Sequence, residues 1–131
     1  MNILPTIYKT RYTISHMQKY TGGCHCGKVK YEVEADLSGA ITCNCSLCSK
    51  RNWMLTFVKA PAFKLISGED NLTEYTFNRK AIRHLFCKTC GVQCFGHGPS
   101  PEGDTYAVNI YTLDGVDPSK LSPTHYNGKD I

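Results

Sequence analysis

Gly22–Val33 reads GGCHCGKVKYEV, and this stretch decides what kind of fold to expect. Its first half sets Cys24 and Cys26 on either side of His25 and follows them at once with Gly27. Two thiols so close in sequence lie on one turn and can grip a single tetrahedral ion, with glycine relieving the tight backbone. Its second half alternates. Val29, Tyr31 and Val33 fall on one face, and Lys28, Lys30, Glu32 and Glu34 on the other, the period-two pattern of a half-buried strand. A metal-gripping turn that runs into a strand predicts a β domain organised around its cysteines.

Working outward, the run Trp53–Val58 (WMLTFV) is apolar at every other residue on both faces, which suits a strand covered from two sides. Shorter strands are expected at Phe63–Ile66, Glu74–Phe77, Ile82–Phe86, Val92–Phe95 and Tyr106–Leu113. Turn-formers separate them at Ser67-Gly68-Glu69-Asp70 and Gly98-Pro99-Ser100-Pro101. Helix is scarce: one turn from Ser46 to Lys50, and one opened by Asp117 as cap with Pro118 in first position. The fold class is therefore mainly β. Residues 1–20 show no clear period and read as an N-terminal tail or edge element, and 21–131 as a single zinc-binding domain.

The chain has 131 residues, one domain's worth, and no stretch of it approaches the roughly 18 uninterrupted apolar residues of a membrane span. The first twenty residues carry Lys9, Arg11 and Lys19 and are broken by Pro5, unlike a secretory signal, so a cytoplasmic location is expected. Thiols stay reduced there, and eight clustered cysteines then read as metal ligands rather than disulfides. The formal charge of +4 counts cysteine as neutral. With seven thiolates around two Zn²⁺ it falls to about +1, because bound thiols are deprotonated. No Lys/Arg block is present, which argues against nucleic acid as a partner.

Seven cysteines fall into three groups: Cys24-x-Cys26, Cys43-x-Cys45-x2-Cys48, and Cys87-x2-Cys90 followed by Gly91. Two bidentate pairs complete one four-coordinate site, so Cys24 and Cys26 are paired with Cys87 and Cys90 in a closed structural zinc site. Cys43, Cys45 and Cys48 are left as a second zinc site with a ligand missing, and an open position is what separates a catalytic zinc from a structural one. Two other readings compete. Cys94, the eighth thiol, could close the second site as a fourth cysteine, or the cluster could simply be reduced, buried cysteines. Cys94 lies two residues beyond Val92 in an apolar strand, and because free cysteine is among the most buried residue types it is expected in the core.

GGCHCGKVKYEV, CNCSLCSK and HLFCKTCG, in that order, resemble the glutathione-dependent formaldehyde-activating enzyme family, which includes the centromere-protein-V-like domains. The resemblance runs from about Gly22 to Asp117, and the closing YNGKD is similar to a short C-terminal motif of some bacterial members. It implies a mainly β fold of small coiled antiparallel sheets around zinc, shared with Mss-four-like proteins. It also implies the same metal division: Cys24, Cys26, Cys87 and Cys90 as structural ligands, and Cys43, Cys45 and Cys48 as ligands of a catalytic zinc. The activity implied is that of a carbon-sulfur lyase acting on a small-molecule thiol such as glutathione or its formaldehyde adduct, S-hydroxymethylglutathione. This chain departs from the founder in being compact, and in carrying Lys50-Arg51-Asn52-Trp53 where small residues commonly follow the cluster.

For proton transfer the candidates are His84, three residues before Cys87, and His97 in a glycine-rich loop, while His25 is expected to point outward. Arg51 and Lys50 suit either the carboxylates of a glutathione-like thiol or a solvated surface. Trp53, Phe57, Phe86 and Phe95 are expected in the core, Trp53 nearest the cluster. Outside the enzyme class, zinc at both sites would staple a binding module for a protein or nucleic acid. A redox thiol protein would instead open a helix with its Cys pair within a βαβ pattern, which the short strands here do not offer.

Overall fold

The computed structural model describes residues 17–51, 53–77 and 82–127. Of the segment 1–20, residues 1–16 lie outside that range, as do Asn52 and the last three residues of YNGKD. The chain is mainly β. Strands β1 (Gln18–Gly23), β2 (Lys30–Ala35) and β5 (Phe63–Ser67) form a three-stranded antiparallel sheet in the order β1-β2-β5. The second sheet contains β3 (Ile41–Cys43), β4 (Met54–Lys59), β6 (Leu72–Tyr75), β7 (Arg83–Cys87), β8 (Phe95–Ser100), β9 (Gly103–Asn109) and β10 (Thr124–Tyr126). Its order is β10-β3-β4-β9-β8-β7-β6, antiparallel except where β10 lies parallel to β3. Among the described residues one α-helix, α1 (Ser46–Arg51), follows β3.

The alternation in β2 does what its chemistry requires. Tyr31, Val33 and Ala35 are buried and Lys30, Glu32 and Glu34 exposed. Strand β4 is buried on both faces through Met54, Leu55, Thr56 and Val58, as its unbroken apolar run predicts. Between the sheets Tyr31, Val33, Val58, Phe95, Val108 and Ile110 form the main core, with Tyr31, Phe63 and Phe95 in ring contact. A smaller cluster of Cys48, Trp53 and Leu55 sits apart from it, with Phe57 packed against it. At Gly22 a Cβ would meet the Tyr31 ring at 2.6 Å and the Thr112 carbonyl at 2.7 Å, so glycine there lets β1 close on the core.

Three expectations need correcting. The strand placed at Val92–Phe95 starts only at Phe95, because the backbone before it is used elsewhere. Val92 O accepts from Cys87 N at 3.0 Å, and Gln93 O and Cys94 O accept from the Asn109 side chain and backbone at 2.9 and 2.8 Å. The turn placed at Gly98–Pro101 is largely strand: β8 runs to Ser100 and turns at Pro101 and Glu102. Pro99 is tolerated because it pairs with Asp104 of β9, whereas the pairing with β7 has ended at His97. The predicted strand Tyr106–Leu113 ends at Asn109, whose side chain accepts from Tyr111 N and opens a 3-10 turn, Ile110–Thr112. The cap by Asp117 is as expected, accepting from Ser119 N at 3.0 Å ahead of Pro118–Lys120.

Candidate metal centres

Two turns of the same construction bring four cysteines together. In the first, Gly27 N donates to Cys24 O at 3.3 Å and Cys24 N to Val29 O at 3.0 Å. In the second, Gly91 N donates to Cys87 O at 2.9 Å and Cys87 N to Val92 O at 3.0 Å. Gly27 and Gly91 take φ of 84° and 79°, the left-handed conformation that closes such a turn. The Sγ atoms of Cys24, Cys26, Cys87 and Cys90 lie within 4.8 Å of one another. Further donors point at the sulfurs: Val29 N to Cys24 at 3.3 Å, and Thr89 N and Asn71 Nδ2 to Cys87 at 3.4 and 3.2 Å. Donation from the backbone of Cys90, then Thr89, holds the Cys87 thiol below the ordinary range. Four convergent sulfurs fit a soft divalent cation and leave it no vacant position. The first turn follows β1 and the second follows β7, so the cluster ties the two sheets together.

The second cluster is local. Cys43 ends β3, and Cys45 and Cys48 sit at the start and within α1, their three Sγ atoms within 4.8 Å of one another. Cys45 N donates to Cys43 Sγ and Cys48 N to Cys45 Sγ, both at 3.4 Å. Among the described residues no fourth Cys, His, Asp or Glu joins them. Cys94 does not: it is 1% exposed in the main core beside Cys24 and Cys87, and burial, then the charge on Cys24, pushes its thiol up to about 12. Three thiols fit a soft cation as well, with one coordination position that the described residues do not fill.

Beside this cluster opens a cleft of about 340 Å³. Its apolar walls are Leu47, Trp53, Tyr75 and Phe86, and its polar ones include Arg51, His84 and Gln93. The structure thus brings His84 to the three-cysteine side and leaves His97 elsewhere, stacked on Tyr106 at 4.1 Å and bonded to Asp104 at 2.8 Å. His84 Nδ1 faces Arg51 Nη1 at 3.4 Å. A guanidinium can only donate, so Nδ1 accepts and the ring proton sits on Nε2. Burial and the Arg51 charge push His84 down to about 4, and the ring is neutral at pH 7. Lys50 is exposed, and Arg51 is not a free surface cation. Phe86 lines the cleft, a departure from its expected core role, and Trp53 is both core and donor, its indole N–H on Cys48 Sγ at 3.3 Å.

Several contributors carried no signal in the sequence. Gln93 holds Arg51 through a hydrogen bond from Nη1, and Asn71 feeds the four-cysteine cluster. The start of YNGKD braces the other one: Tyr126 pairs with Cys43, Tyr126 O accepts from Asn44 N at 3.3 Å, and Asn44 Nδ2 donates to Asn127 Oδ1 at 2.8 Å. A motif at the chain's end gives no hint that it returns to a loop eighty residues earlier until the parallel pairing is seen.

These features define a class of small mainly β protein in which one cysteine cluster joins two sheets and a second, incomplete one borders a cleft. A sequence profile described as glutathione-dependent formaldehyde-activating enzyme matches residues 19–127, and the chain belongs to that family, which is named for an enzyme. The chain is also similar to the crystal structure of a Rhodobacter sphaeroides protein, at 32% identity over 82% of this chain and 99% of that one, with a TM-score of 0.74. Among the described residues no helix is long and apolar enough to cross a membrane.

Proposed function

We propose that the chain is a zinc-dependent carbon-sulfur lyase that makes or breaks a thiol–aldehyde adduct of the S-hydroxymethylglutathione kind at the Cys43, Cys45 and Cys48 centre. The observation that carries this reading is a donor set of three convergent sulfurs, unjoined by a fourth ligand among the described residues and bordered by a cleft. Cys24, Cys26, Cys87 and Cys90 would hold a structural zinc, and Cys43, Cys45 and Cys48 a second. Zinc at the second centre supplies stabilisation of a thiolate at neutral pH and polarisation of a carbonyl oxygen.

In the breaking direction the C–S bond cleaves and its electron pair stays on sulfur. The hydroxyl proton is released to solvent, the carbon–oxygen bond becomes a carbonyl, and no oxidant is needed. The side chains of the cleft suit that change. Arg51 sets a positive charge where the sulfur becomes anionic, and the neutral His84 offers Nε2–H as a donor to the adduct oxygen. The aromatic and aliphatic walls Leu47, Trp53, Tyr75 and Phe86 offer the adduct an apolar surface. The family's description supports a small-molecule thiol such as glutathione as partner, and a reducing, cytoplasmic setting would keep the clustered thiols available to metal.

Zinc content and adduct turnover in wild type and Cys45→Ser test the reading. Two zinc ions per chain and measurable turnover are expected in wild type, with one zinc and background turnover in the variant. Equal turnover in the two proteins would sink the lyase and leave a zinc-stapled binding module.

A further inference from the structure

Arg51 has surroundings unlike those of a surface cation. Its guanidinium carbon lies 3.9 Å from the centroid of the Trp53 ring. Nη1 donates to Gln93 Oε1 and toward His84 Nδ1, and Nη2 donates to Cys48 Sγ at 3.6 Å. The indole N–H of Trp53 donates to the same sulfur. Cys48 therefore receives two side-chain donors, one of them charged, while the hydrogen bonds to Cys43 and Cys45 come from backbone N–H. Among the described residues that line the cleft beside them none is acidic, and Arg51 carries the charge.

We propose that Arg51 is a positioning residue that fits the three-cysteine centre to an anionic sulfur ligand by taking charge off Cys48. The proposal rests on Cys43, Cys45 and Cys48 holding a divalent cation. Three thiolates around such a cation sum to about −1, which repels a further thiolate. A guanidinium within hydrogen-bonding distance brings the local sum near zero. Because its donation falls on one sulfur, and Trp53 adds a second, Cys48 becomes the weakest electron donor of the three. The centre then keeps more of its positive character for the ligand that arrives from the cleft.

The planar fork is what makes this possible. It sits over an indole while one terminal nitrogen reaches a sulfur and the other Gln93 and His84, which an ammonium cannot do. The ligand class this selects is a thiolate, with Leu47, Tyr75 and Phe86 as apolar wall for the carbons next to its sulfur. A neutral thiol gains nothing from the added charge.

Alkylation of the zinc-loaded full chain by iodoacetamide, mapped cysteine by cysteine, tests this without any lyase assay. In Arg51→Met, Cys48 is expected to react about ten-fold faster than in wild type, since a thiolate relieved of a charge-assisted hydrogen bond is the better nucleophile. Cys43 and Cys45 should be unchanged, Arg51→Lys intermediate, and Trp53→Phe a few-fold faster at Cys48 alone. In the cobalt-substituted protein, the affinity for 2-mercaptoethanol read from the sulfur-to-cobalt charge-transfer band should fall about ten-fold in Arg51→Met. Unchanged Cys48 reactivity in both Arg51→Met and Trp53→Phe overturns the role of Arg51 while leaving the lyase reading standing. Equal acceleration of all three cysteines overturns it too, because that is loss of the site rather than relief of one sulfur. A single zinc per wild-type chain overturns both readings together.

Discussion

The two cysteine clusters use the same side chain for opposite ends. The four-cysteine cluster draws its members from turns on different sheets, orients them with backbone N–H groups and left-handed glycines, and closes on itself. The three-cysteine cluster draws its members from one β3–α1 connection, lacks a fourth ligand among the described residues, and has charged and aromatic side chains around it. A metal at the first substitutes for sequence-distant packing that a small domain otherwise lacks. A metal at the second contributes little to the fold, since its ligands are already neighbours. The difference is therefore one of reach: contacts between distant segments stabilise, and local ones are free to serve chemistry.

The sharpest way to break this comparison is to remove one ligand from each cluster. Cys87→Ser should abolish cooperative unfolding at 25 °C, because metal-linked folding energy of about 10 kcal/mol is at stake. Cys45→Ser should keep a cooperative thermal transition and lose one metal per chain, and circular dichroism melts with metal analysis read both. Loss of the transition in Cys45→Ser would show that the second cluster is a staple as well. A smaller effect is expected from Gly27→Ala. An added Cβ there meets nothing within 4 Å, so its cost is that of the left-handed backbone alone, about 1 kcal/mol, visible as a lower urea midpoint with unchanged slope. The smallest change should come from Asn127→Ala, which removes the acceptor for Asn44 beside the three-cysteine loop. It should cost under about 1 kcal/mol of stability and yet speed zinc loss from the second centre, followed with a chromogenic chelator.

Much of this plan is written locally in the chain. The alternation Val29-Tyr31-Val33 placed the face of β2, WMLTFV the doubly covered strand β4, and the spacing of Cys24, Cys26, Cys87 and Cys90 their meeting. Each is a short-range pattern whose physical cause lies within a few residues. What could not be read depends on partners far away. Val92–Phe95 looks like strand by composition, but Asn109 and the cysteine turn claim the backbone carbonyls of Val92, Gln93 and Cys94. Pro99 looks like a turn until the strand that would need its N–H stops short. Arg51 beside Lys50 reads as a solvated pair or an anchor for carboxylates; only the fold shows the guanidinium over the Trp53 indole and against Cys48. Cys94 was the open question for the three-cysteine site, and its burial among Val33, Phe95 and Ile110 settles its place in the core.

Anomalous X-ray scattering at the zinc edge tests the division of labour most directly. Two peaks are predicted per chain: one enclosed by Cys24, Cys26, Cys87 and Cys90, and one held by Cys43, Cys45 and Cys48 with water or a small thiol completing it. A single peak, or a second one closed by a side chain of this protein, would contradict the account.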